Sequence, residues 1–243
     1  MKKSIFSILL IIVFLLAGCG KEQNDDQVIR FAVSAEYPPF EYVVDYDLVG
    51  FDIELAKLIA EWLGKKAVFE DMKFASILAA VQSGSVDAGI STITVTQDRI
   101  RNFDFSDPYY NESMSMIFLK ERPINTKEEI GGKKIACQLG TTLQIWLQAN
   151  IPNIDLVTMD SNPQAIEALK ASYVDGVFVD TVQAQEFVKQ NPKLGYSFIA
   201  HSDTGYSLAF KKGSPLRVEV NEALQYLEKS GKLQQLRKKY FKE

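Results

Sequence analysis

The feature that most constrains this chain is an alternation of short apolar runs and amphipathic runs that occurs twice. In the first series, residues 28–34 and 67–70 read as strands. Between them a helix carries Phe51, Leu55, Leu58, Ile59 and Trp62 at helical spacing, with Asp52 as a possible cap and Gly64 as its stop. A second helix carries Ile77, Leu78 and Val81, ends at Gly84, and leads to a short buried strand over 86–90. The second series gives strands over 133–138, 155–159 and 174–179. Its helices follow Gly140-Thr141-Thr142, the pair Asn162-Pro163 (a cap, then proline at the first helical position), and Asp180-Thr181. Strands separated by helices build parallel sheets with right-handed crossovers. Extended runs near 114–119 and 206–210 connect the series, and two helices follow at the C-terminus, one opened by Ser214-Pro215 and one over 233–241. The expectation is an α/β protein of two parallel-type lobes joined by two hinge strands. Lobe 1 takes residues 28–115 and 209–243, and lobe 2 takes 116–208. A ligand belongs in the cleft, at the carboxyl ends of strands from both lobes.

The chemistry concentrates in residues 74–110. After the strand ending at Ile90 come the hydroxyls of Ser91, Thr92 and Thr94. Thr96-Gln97-Asp98-Arg99 reads as a helix start, with Thr96 as N-cap and Asp98 favoured by the helix dipole. Hydroxyls, exposed backbone N–H groups and one guanidinium together suit a carboxylate, because arginine pairs with it in a bidentate, charge-assisted way. A solvated surface arginine beside a polar loop fits the same letters. Upstream, Glu36-Tyr37-Pro38-Pro39-Phe40 cannot be regular helix or central strand, since two prolines lack N–H donors. It reads as a rigid loop that either projects Tyr37 or packs it down.

Phe74, Asp87, the run from Ser91 to Thr94, Thr96 to Arg99, and Phe105-Ser106-Asp107-Pro108-Tyr109 resemble the polar amino-acid family of extracytoplasmic solute-binding proteins that serve ABC importers. The likeness runs from about Ile29 to the C-terminus and is closest to arginine and basic amino-acid binders. It implies the type II periplasmic-binding-protein fold, a monomer, and no cofactor or metal. It also implies an L-amino acid delivered to ABC permease subunits.

An α-amino acid offers a carboxylate, an ammonium and a side chain. Arg99 is the candidate for the carboxylate, supported by Ser91, Thr92 and Thr94 and, across the cleft, by Thr141 and the N–H of Thr142. Asp180 is the candidate for the ammonium, and it suits equally the N-cap of the helix that follows. Tyr37 and Phe74 would sandwich a flat guanidinium, a cation–π contact worth roughly 0.5–2 kcal/mol. The amide of Gln138 would accept from that guanidinium, or face glutamine, or be a plain polar strand end. Relatives that bind lysine, arginine or ornithine often carry aspartate where this chain has Ser34. A long cationic side chain would then need Glu36 or Glu41, which favours arginine over lysine. Glutamine, histidine and lysine remain alternatives.

Lys2-Lys3, an apolar run over 5–16 and Ala17-Gly18-Cys19 read as a signal peptide over 1–18, because the run falls short of the roughly 20 residues of a membrane span. Leu16 to Cys19 resembles a bacterial lipobox, which implies lipidation of Cys19, a polar tether over 19–27, and an extracytoplasmic, membrane-anchored protein. Cys137 then lacks an intrachain partner, so no disulfide framework is expected. The formal charge of −4 and the absence of a dominant basic patch argue against nucleic acid. The single histidine, His201, lies in a polar stretch read as a loop, and neither HExxH, G-x-S-x-G, a P-loop nor a Cys/His cluster occurs. The chain is therefore expected not to be an enzyme, although the family includes dehydratases on the same scaffold.

Overall fold

The computed structural model describes residues 27–202 and 204–241. The signal peptide, Cys19 and most of the tether lie outside the described residues. Among the described residues, thirteen strands and eight α-helices follow in order: β1 (Val28–Val33), β2 (Glu36–Tyr37), β3 (Glu41–Val44), β4 (Asp47–Val49), α1 (Phe51–Trp62), β5 (Lys66–Asp71), α2 (Phe74–Ser83), β6 (Ala88–Gly89), α3 (Gln97–Asn102), β7 (Phe103–Phe105), β8 (Ser113–Leu119), β9 (Lys134–Gln138), α4 (Thr142–Asn150), β10 (Asp155–Met159), α5 (Asn162–Lys170), β11 (Gly176–Asp180), α6 (Thr181–Gln190), β12 (Leu194–His201), β13 (Ala209–Lys211), α7 (Leu216–Lys229) and α8 (Lys232–Tyr240). Among the described residues no helix is long and apolar enough to cross a membrane.

Two five-stranded sheets organise the chain. One has the order β5-β1-β6-β13-β7, the other β10-β9-β11-β8-β12. In each, the first three strands are parallel, and the fourth runs antiparallel to its neighbours. That fourth strand is the one the chain enters just after crossing over: β8 on the outward passage, β13 on the return. The extended runs read as hinge strands are therefore mostly sheet. The crossings themselves are short and lie side by side, with the Tyr206 N–H donating to Tyr110 O at 2.8 Å and the Ser202 N–H to Glu112 O at 3.3 Å.

Local chemistry explains the elements. Helix α1 buries Phe51, Leu55 and Ile59, at i, i+4 and i+8. Gly50 precedes it at φ 128°, and a Cβ there would lie 2.1 Å from Phe40 O, so only glycine fits. The Asp45-Tyr46 turn, with both residues at positive φ, joins β3 and β4 into a hairpin. Three details differ from the sequence reading. Asp52 does not cap α1 but is fully buried. The cap of α5 is Ser161, one residue before Asn162, with its hydroxyl accepting from Gln164 N–H. His201 ends β12 rather than sitting in a loop; the half-exposed faces of that outer strand hide its apolar pattern.

Candidate functional site

A narrow cavity lies between the two sheets, lined by Tyr37, Phe74, Thr92, Thr94 and Arg99 on one side and Gln138, Thr141, Thr142, Leu143 and Asp180 on the other. It sits at the carboxyl ends of β9 and β11 and beyond the end of β6, the place where parallel sheets leave a crevice. Nine of the twelve residues singled out from sequence line it. The surface reading of Arg99 gives way, since the residue is buried, whereas Tyr37 both lines the cavity and packs against Phe40. Wider surface recesses flank α3, and neither is lined by a buried charged side chain.

Arg99 is 9 % exposed. Its first-turn position follows from Thr96, whose hydroxyl accepts from Arg99 N–H at 3.2 Å. The guanidinium donates to Thr94 O at 2.6 Å and across the cleft to Gly140 O at 2.9 Å. Both partners are neutral carbonyls, and burial alone pulls the arginine down to about 10. A buried cation with neutral partners attracts an anion.

Asp180 is the opposite case. It ends β11 at the N-cap position of α6, yet its side chain makes no capping bond. Its carboxylate accepts instead from the Tyr37 hydroxyl, and the Tyr206 hydroxyl lies beside it. Burial raises its pKa, and the two hydroxyls oppose the rise. Among the described residues no ammonium or guanidinium pairs with it.

The lobes meet through these same residues. Thr142 Oγ1 donates to Thr94 Oγ1 at 3.3 Å, and the Gln183 amide donates to Pro38 O. Gln138 Nε2 donates to Glu36 Oε1 and to Asp160 O, each at 3.3 Å. Thr141 caps α4, accepting from Gln144 N–H, and its own hydroxyl donates to Gln138 O at 2.7 Å.

Ser34, Glu36 and Ser91 do not line the cavity. Glu36 stands behind Gln138, with Lys73 at 3.8 Å, and burial raises its pKa. Ser91 is committed to an interior network: its hydroxyl accepts from Ser34 N–H at 3.1 Å and donates to Glu41 Oε1 at 2.6 Å. Glu41 and Asp52 are fully buried neighbours; Glu41 Oε2 and Asp52 Oδ1 have no hydrogen-bond partner among the described residues, and one proton shared between the two carboxyls accounts for both. Asp52 also takes Thr92 N–H at 3.0 Å and the Tyr109 hydroxyl at 2.8 Å. Burial and the neighbouring carboxylate hold Glu41 well above the usual carboxylate range, and burial brings Asp52 to about 6. This pair pins the 91–94 loop, where Thr92 adopts φ 48°. Sequence reasoning missed it, because only folding brings residues 41, 52, 91 and 109 together. Leu143 was missed as well, its apolar side chain carrying no chemical signal. Cys137 is buried and free, its thiol pushed up to about 12 by burial. Among the described residues no cluster of His, Cys, Asp and Glu could hold a metal.

Comparison with known proteins agrees with this geometry. The arginine-binding extracellular protein ArtP of Bacillus subtilis is 31% identical over 239 residues, covering 95% of this chain and 94% of ArtP. The L-cystine-binding protein TcyJ of Escherichia coli is 33% identical over 229 residues, covering 92% and 86%. An ancestral arginine-binding protein solved with arginine bound superposes with a TM-score of 0.84 at 34% identity, covering 88% of this chain and 98% of that one. Its fold is the two-lobed type II arrangement seen here. One family's model matches residues 29–243, a range that takes in both sheets: the chain belongs to the bacterial extracellular solute-binding proteins, family 3.

Proposed function

We propose that this protein binds one L-amino acid, arginine first, between its lobes and hands it to the membrane subunits of an ABC importer without chemical turnover. The observation that carries the reading is a buried cation and a half-buried anion on one cavity. Arg99 holds an uncompensated cation and Asp180 an uncompensated anion. A zwitterion compensates both at once, its carboxylate on Arg99 and its ammonium on Asp180. Thr92, Thr94 and the first N–H groups of α4, which have no intrahelical partners, complete the carboxylate's bonds. The ligand side chain lies between Tyr37 and Phe74 and points toward Gln138, with the Glu36 carboxylate behind it. Two aromatic faces and these acceptors suit a guanidinium.

The same reading includes a division into lobe 1 (28–115 and 209–243) and lobe 2 (116–208), joined by two extended passages. The lobes close around the ligand as a hinged clamp. It also includes a monomer, held on the extracytoplasmic side of a bacterial membrane by lipid on Cys19.

A thermal-shift screen against the twenty amino acids, ornithine, citrulline and cystine tests it. Ligand at 100 times its Kd stabilises by about 2.7 kcal/mol. Arginine is expected to give the largest shift. A shift with glutamine or cystine and none with arginine overturns the guanidinium assignment, and no shift with any of them overturns the amino-acid reading.

A further inference from the structure

Gln138 ends β9 and is 3 % exposed, yet it lines the cavity. A side-chain amide carries two donors on its nitrogen and an acceptor on its oxygen, and the two ends have nearly the same shape. Which end a ligand meets is decided by the groups behind the amide. Both side-chain hydrogen bonds of Gln138 leave from Nε2. One runs to the backbone carbonyl of Asp160 and one across the cleft to Glu36 Oε1, each at 3.3 Å. Asp160 is in reach because β10 pairs with β9 in register, with Met159 opposite Gln138. Glu36 comes from β2, and its other oxygen stands 3.8 Å from Lys73 Nζ.

A backbone carbonyl can only accept, and a carboxylate facing a lysine accepts too. Two acceptors exclude the flipped amide, which would set Oε1 against both of them. They also use both protons of Nε2. The amide is planar, so Oε1 points away from the two acceptors, and neither bond engages it. The backbone is held as well: Thr141 Oγ1 donates to Gln138 O at 2.7 Å, and Leu139 N–H donates to Met159 O at 2.8 Å.

We propose that Glu36 is a positioning residue for specificity: together with Asp160 O it fixes the Gln138 amide so that a carbonyl oxygen, and no N–H, meets the end of the ligand side chain. The site then takes an L-amino acid whose side chain ends in N–H donors, such as a guanidinium, a ureido group or a carboxamide. It rejects one that ends in acceptors alone, because two oxygens would face each other unpaired in the cleft. The choice of ligand rests on the function proposed above; the orientation of the amide does not.

The charge of Glu36 also attracts any cation, so arginine affinity alone does not isolate the amide. The test uses a neutral pair of like shape, L-glutamine and L-methionine sulfoxide, in which a methyl group replaces the amide NH₂. The Glu36 side chain is 23 % exposed, and E36M removes its acceptor without burying a new polar group. Affinities are measured by displacement of L-arginine at pH 7.5, in wild type and E36M. Wild type is expected to prefer glutamine by at least about fivefold, the lower bound for leaving a buried acceptor unpaired. In E36M the flipped amide loses one bond instead of two, and the preference shrinks toward one. A wild-type preference near one, or one unchanged in E36M, overturns the proposal.

NMR of the Gln138 side-chain amide, assigned by its loss in Q138L, tests the orientation directly. With L-arginine bound, the Nε2 protons are expected to show nuclear Overhauser contacts to Glu36 and to the Asp160–Ser161 backbone. The contacts to residues 160–161 are expected without ligand as well, since β9 and β10 share one sheet. Absence of the contacts to residues 160–161 overturns the proposal, whether or not any ligand binds. Should no amino acid bind wild type at all, the proposed function fails, and the contacts in the ligand-free protein alone decide the orientation of Gln138.

Discussion

Replacing Arg99 with methionine separates what the guanidinium does for the ligand from what it does for the fold. Burial holds Arg99 at about 10 against an ordinary value near 12.5, and at about 1.4 kcal/mol per pH unit this desolvation costs roughly 3 kcal/mol in the unliganded protein. The bonds to Thr94 O and Gly140 O return on the order of 1.5–3 kcal/mol each. The opposing contributions nearly cancel, and methionine keeps much of the side-chain volume. R99M is therefore expected to unfold within about 2 kcal/mol of wild type, the size of one lost hydrogen bond. Ligand binding behaves differently, because the carboxylate loses its only buried cation. The expected loss is about 2–5 kcal/mol, or roughly thirtyfold to several thousandfold in Kd. Urea denaturation and titration calorimetry with L-arginine read the two quantities separately. Binding within about threefold of wild type, equivalent to less than ~1 kcal/mol, refutes the role of Arg99. A fall in stability as large as the fall in affinity refutes the account of its energetics.

Further consequences concern the interior as well as the site. D180N is expected to weaken arginine binding at least about tenfold, since a neutral amide replaces the charge that meets the ammonium; calorimetry at pH 7 checks it. Glu41 and Asp52 are both raised in the folded protein, so their stabilising contribution is complete below about pH 4 and is lost as pH rises through 6 and beyond. E41Q can still accept from Ser91 while donating to Asp52. Its stability relative to wild type is expected to rise between pH 5 and 8 by on the order of 1 kcal/mol per pH unit, and a pH-independent difference in urea midpoints would contradict the shared proton. G50A places a Cβ 2.1 Å from Phe40 O at a φ of 128°, and a cost above about 3 kcal/mol in urea unfolding is expected. Near-wild-type stability would mean that the turn before α1 rearranges freely.

Much of this protein was legible in order along the chain, and the reason is that those signals are local. Thr96 and Thr141 announce helix starts because a hydroxyl three residues before an N–H is a contact within one turn. The apolar spacing of α1 and the runs of β9 and β10 declare which face is buried. Strand followed by helix, twice, leaves few topologies other than two parallel sheets. Even the crevice was accessible, because strand ends in such sheets converge. Arg99 and Asp180 stand near such strand ends, and the family resemblance adds Tyr37 and Phe74 to the same crevice.

Tertiary structure decided whatever depends on which distant groups meet. Ser91 carries the same hydroxyl as Thr94, but the interior claims it for Glu41, with the Ser34 backbone N–H donating to it, and of these three residues only Thr94 lines the cavity. Asp52 looks like a helix cap and is instead half of a proton-sharing pair, because Thr92, Tyr109 and Glu41 surround it. Asp180 sits at an N-cap yet lines the cleft. Sequence thus determined the elements and the end of each sheet where a ligand belongs, since propensity, capping and periodicity act over a few residues. Which carboxylate is charged, which is shared and which is free was left to folding, since charge state depends on burial and on neighbours that the chain supplies from far away.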